Sequence, residues 1–177
     1  MVGEGETSNR ERAVWGEAAL GYYSRSRAAL GKEPTAVEDI AIALGACEMG
    51  GRFDDSMLDG RCGVLVEDRE IAEEVIGDLL TNVFHAADGA VVPELLLNAV
   101  TGAEHREESV RAEAWRRIGP ARPIGEFLAA VRQALVTVHD LDADGMLESA
   151  AKMFREEALA AERRGGSPNA VGPGDAW

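Results

Sequence analysis

The chain has 177 residues, a formal net charge of −14, 46% hydrophobic residues and 5% aromatic residues. That length and apolar content support one compact domain with its own core and exclude a disordered acidic tail. The acidity disfavours nucleic acid and anionic membrane surfaces, which need cationic protein surfaces, and leaves basic proteins or divalent cations as the partners to expect.

Residues 1–8 are polar and are expected to be loose. Ser8 or Asn9 can cap a first helix reaching about Leu30, with Val14, Trp15, Ala18, Ala19 and Tyr22 as apolar positions and Gly31 as its stop. Of the tryptophans, Trp15 is expected in the core, and Trp115 sits among charges. Pro34-Thr35 opens a second helix to about Met49, ended by Gly50-Gly51. Residues 51–63 are rich in Asp and Gly and read as a loop. Val64-Leu65-Val66 favours β structure, but one such run makes no sheet. Asp68 is placed to cap a third helix over residues 69–88, which Gly89 stops.

Val92-Pro93 starts a fourth helix directed towards Trp115 and Ile118, with Gly102 as the place where it would break and Gly119-Pro120 as its end. Pro123 opens a fifth helix to about Val138, and a sixth runs from near Ala143 to about Arg164. Residues 165–177 read as a flexible Gly/Pro-rich tail behind a helical domain of residues 9–164. The fold class is therefore all-α: a single-domain bundle of about six helices. Two stretches, DLLTNVFHAADGAVVPELLLNA and FLAAVRQALVTVHDLDADGMLESA, share the order apolar helix, acidic turn, helix, and suggest two similar hairpins.

Cys47 and Cys62 match neither a disulfide framework nor a zinc pattern, and read as reduced thiols. With no signal-like start and no apolar run of membrane-spanning length, the expectation is a soluble, cytoplasmic protein. No nucleophile elbow or phosphate-cradling glycine loop is present, and the three histidines, His85, His105 and His139, form no zinc-binding pair.

The third helix carries the most information. At about 100° per residue it separates a polar stripe (Glu70, Glu74, Asp78, Thr81, Asn82, His85, Asp88) from an apolar one (Val75, Ile76, Leu79, Leu80, Val83, Ala86, Ala87). Carboxylates one turn apart, such as Glu74 and Asp78, project together and repel unless a cation neutralises them; magnesium, needing one or two carboxylates, would do so. The same stripe could instead face water or pair with Arg69, Arg106, Arg111 or Arg116.

Asp140, Asp142 and Asp144 followed by Gly145 match the first half of a calcium loop, but the bidentate acid that should complete it falls at Ala151. The alternative is a tight turn with Asp142 or Asp144 capping the sixth helix.

EEVIGDLLTNVFHAAD resembles the metal-binding helix of the all-α nucleoside triphosphate pyrophosphohydrolases of the MazG type, and VHDLDADGMLESAAKMF resembles that family's C-terminal turn and helix. The resemblance implies a magnesium-dependent hydrolysis of nucleoside triphosphates to monophosphates and pyrophosphate, with Glu74 and Asp78 as metal ligands. The family's glutamate three residues before the aspartate is Val75 here, with Glu74 one position earlier. Its earlier acidic motif is nearest to Glu38-Asp39, with Ile42 where a third carboxylate would stand.

Two functions follow from different classes. One is an acidic helical protein that works by protein–protein interaction or self-association, with a basic partner favoured by charge and no cofactor. The other is the magnesium-dependent pyrophosphohydrolase implied by the resemblance.

Overall fold

The computed structural model describes residues 8–49, 68–102 and 105–165. The expected loop at 51–63, the run Val64–Val66, Cys62, the first seven residues and the tail beyond residue 165 lie outside the described residues. Among the described residues the chain is helical without strands: α1 (Asn9–Leu30), α2 (Ala36–Met49), α3 (Arg69–Ala87), α4 (Pro93–Val100), α5 (Glu108–Arg117), α6 (Arg122–His139) and α7 (Ala143–Gly165), with a 3-10 turn over Gly119–Ala121. No helix there is long and apolar enough to cross a membrane.

The helix ends follow from local chemistry. Ser8 and Glu11 form a reciprocal capping box on α1, the Ser8 hydroxyl accepting from the Glu11 N–H at 3.2 Å and the Glu11 carboxylate accepting from the Ser8 N–H at 2.8 Å. Thr35 and Glu38 repeat the arrangement at α2. Asp68 accepts from the Ile71 N–H at 3.1 Å to open α3. Gly31 closes α1 in the left-handed region at φ 64°.

The expected fourth helix is two helices. α4 ends at Val100, Gly102 takes φ 57°, and α5 starts six residues after Gly102 at Glu108. A residue at positive φ cannot continue a right-handed helix, so the chain turns there. α5 buries no residue, as its run of charges requires. The two hairpins, α3–α4 and α6–α7, both turn beside a left-handed residue, Gly89 in one and Asp140 in the other, but their second arms are 8 and 23 residues long.

α3 is the central element: α1 and α7 pack along it, and α2 and α6 also touch it. Ile76, Leu80, Val83 and Phe84 of α3 meet a core that includes Ile40, Phe127, Leu128, Val131, Leu135 and Leu147, all nearly inaccessible. Burying each such side chain stabilises the fold by about 1.5–3 kcal/mol before entropy is counted. Tyr23 meets Phe127 edge-to-face at 4.7 Å and joins α1 to α6. Trp15, expected in the core, is only half-buried, whereas Trp115 packs against the core. A methyl group on Gly125 would come within 2.9 Å of the Trp115 ring, so only glycine admits the indole at that point.

Candidate functional site

The polar stripe of α3 divides in two. Glu70 and Glu74 are exposed and Asp78 is half-buried, but Thr81, Asn82 and His85 are buried before Asp88 emerges again. The expectation of one continuous wet or metal-holding face is corrected for the second half, because α1 and α7 cover it. There the side chains form a closed polar seam. Arg12 Nη1 donates to Asn82 Oδ1 at 3.0 Å, and Arg12 Nε stands 3.0 Å from Glu157 Oε2. His85 Nε2 is 2.7 Å from the same oxygen, and Asn9 Nδ2 donates to the Glu157 carbonyl at 3.2 Å. The His85 ring also lies edge-on to Phe154 at 4.8 Å. The seam gives the buried Asn82 and His85 polar partners and the Arg12 guanidinium a counter-charge, although Arg12 Nε meets Glu157 as an ion pair without a hydrogen bond.

Two of the arginines named from the sequence go elsewhere. Arg106 reaches the Asn98 carbonyl and Arg116 pairs with Glu113. The seam's cation is Arg12, from a helix far away in the chain. Its signal was the spacing Arg12, Gly16, Ala19, Tyr23, a helical stripe that is buried throughout.

The carboxylates that could have joined Glu74 and Asp78 are engaged elsewhere. Glu38 caps its own helix and pairs with Lys32 at 3.0 Å, which together hold its carboxyl below the usual range. Asp39 is buried and accepts from the Tyr23 hydroxyl at 2.9 Å. Burial pushes the Asp39 carboxyl up; burial and the adjacent carboxylate push the Tyr23 phenol up. Among the described residues, no three His, Cys, Asp or Glu side chains gather into a group that could hold a metal ion.

The three aspartates after α6 diverge. Asp140 is the exposed, left-handed cap of α6. Asp142 caps α7 by accepting from the Gly145 N–H at 3.0 Å, as one reading of the sequence required. Asp144 is gripped by the Arg132 guanidinium fork, with Nη2 to Oδ2 at 3.0 Å, and accepts from the Gly102 N–H at 3.2 Å.

Two open hollows bear on function. One, of about 380 Å³, runs between α3 and α7; Gly77, Met146, Ala150 and Met153 line it, with Glu73 and Asp142 at its edge. Met153 is 42% exposed, and a methyl group on Gly77 would meet nothing within 4 Å. The other, of about 550 Å³, lies among α1, α2, α5 and α6, with Arg27, Asp39, Trp115 and Glu126 on its walls. Sequence reasoning missed both; a glycine inside a strongly helical stretch and two methionines seven residues apart on α7 were the available signs of the first. Comparison of the chain with family models, with curated proteins and with solved structures gave no match.

Proposed function

We propose that the protein acts by binding another protein, taking a basic amphipathic segment into the hollow between α3 and α7. The observation that carries this reading is the pairing of an accessible methionine floor with an acidic edge. Met146 and Met153 offer flexible, polarizable contacts that adapt to an apolar helix face. Glu73 and Asp142 edge the hollow, and exposed Glu70 and Glu74 flank Glu73 on α3. A basic segment would relieve the repulsion among these carboxylates and be steered by the net charge of −14. A second copy of this chain carries the same charge and is the less favourable occupant.

The test is calorimetric titration with a Lys/Leu amphipathic helical peptide, beside a scrambled peptide of equal charge. The amphipathic peptide should bind more tightly, and binding should weaken with salt. Gly77→Phe fills the hollow from a position with free space and should abolish the preference. Equal binding of both peptides, or no effect of Gly77→Phe, would overturn the reading. Magnesium-dependent pyrophosphate release from nucleoside triphosphates, lost in Asp78→Ala, would replace it with the chemistry that the resemblance implies.

A further inference from the structure

The larger hollow is a different kind of place. Its volume of about 550 Å³ is within the range of small-molecule sites. Its floor is small and apolar, with Ala36, Ala130 and Ala134, and its charged walls carry one cation, Arg27, against the carboxylates of Glu33, Asp39 and Glu126. Arg27 is already committed: it pairs with Glu33 and lies 5.6 Å from the centre of the Tyr23 ring. Glu126 has Arg122 at 3.0 Å on an exposed surface.

Asp39 is the exception. It is only 8% exposed, and one of its oxygens accepts from the Tyr23 hydroxyl at 2.9 Å. A buried carboxylate is costly unless it is fully paired, and the Arg27 guanidinium, shared with Glu33, acts on this one only from across the wall of the same open cavity. Trp115 supplies an aromatic wall in the same cavity, fixed by its packing on Gly125.

We propose that this cavity binds an organic cation, an ammonium or guanidinium group on a short alkyl stem, with Asp39 as its counter-ion and Trp115 as its aromatic wall. A cation over an indole face gains from the ring quadrupole, and a desolvated carboxylate nearby strengthens the attraction. A bare metal ion suits the place poorly, since it demands several converging oxygens and gains nothing from an alanine floor. A neighbouring hollow of about 320 Å³ shares Arg27 and Glu126 and is lined by Leu20, Ile124 and Phe127, which suits the alkyl stem.

The cation has two sources, a free small molecule or the side chain of a partner's lysine or arginine, and the experiment separates them. The full chain is titrated with n-butylguanidinium, n-butylammonium and neutral n-butylurea, and with a short, terminally blocked peptide whose single charge is one arginine, following heat and tryptophan fluorescence. Either free cation should bind saturably, with a dissociation constant of about millimolar or better, and butylurea should not. Asp39→Asn keeps an acceptor for the Tyr23 hydroxyl and should weaken cation binding at least tenfold. Trp115→Phe should remove the fluorescence response while circular dichroism stays unchanged. Tighter binding of the arginine peptide than of free butylguanidinium assigns the site to a partner's side chain; the reverse assigns it to a free ligand. The absence of saturable binding by every cation, or equal binding by butylurea or by Asp39→Asn, would overturn the proposal.

Discussion

His85 Nε2 on α3 lies 2.7 Å from Glu157 Oε2 on α7, and the imidazole is buried while the carboxylate keeps a partial opening to solvent. The same oxygen faces Arg12 on α1, so one carboxylate holds three helices in register. The arrangement explains how a helix with a polar stripe can occupy the centre of the bundle: where the stripe is buried, Asn82 and His85 find partners on α1 and α7.

Removing that carboxylate should therefore cost far more than removing a surface charge. Glu157→Ala leaves Arg12 buried without its counter-ion and should destabilise the fold by about 3 kcal/mol in urea titration. Glu157→Gln keeps an acceptor and should cost less. An effect within about 0.5 kcal/mol for the alanine variant, the size expected of a surface ion pair, would show that the seam carries no such weight.

Two helical glycines should respond in opposite directions. At Gly16 an added methyl group would run into the Asn82 backbone and approach the Ala86 Cβ at 2.8 Å. Gly16→Ala should therefore force α1 from α3 and destabilise by about 1–3 kcal/mol. Gly77 has open space, so Gly77→Ala should gain about 1 kcal/mol from helix propensity alone. Thermal melts of the two variants would check the contrast.

Two aspartates should give opposite pH signatures. The Arg132 fork holds the Asp144 carboxyl below its ordinary value. Its contribution is present above the ordinary carboxylate range and is lost as pH falls through the lowered value. Burial raises the Asp39 carboxyl, so its charged form is penalised above the raised value and the penalty fades as pH falls through it. At about pH 7, Asp144→Asn should lower the melting temperature and Asp39→Asn should raise it; at about pH 3 both differences should shrink. Melts at the two pH values test this, and a drop for Asp39→Asn at neutral pH would contradict it.

Much of the bundle was legible because its signals act over a few residues. Ser8 with Glu11, Asp68 before Ile71, Gly31 at φ 64° and Asp142 before Gly145 are all local arrangements, and they place helix ends wherever the chain goes. The expected break at Gly102 has the same origin, and it separates two helices. The binding hollows were not legible. Met146 and Gly77 line one hollow only when α7 lies beside α3, and Asp39 and Trp115 share a cavity only because α2 packs against α6, on which Trp115 rests at Gly125.

The amino-acid sequence alone determined an all-helical chain, most of its helix boundaries and its strong negative charge, because capping, glycine and proline geometry and ionisation are properties of residues and their near neighbours. Tertiary structure decided which polar groups became interior. A helical wheel records only one helix, whereas burial of Asn82 and His85 depends on Arg12 and Glu157 arriving from positions 70 and 72 residues away. It also decided that Asp39 is engaged by the Tyr23 hydroxyl, a donor that α1 presents only once it packs against α2.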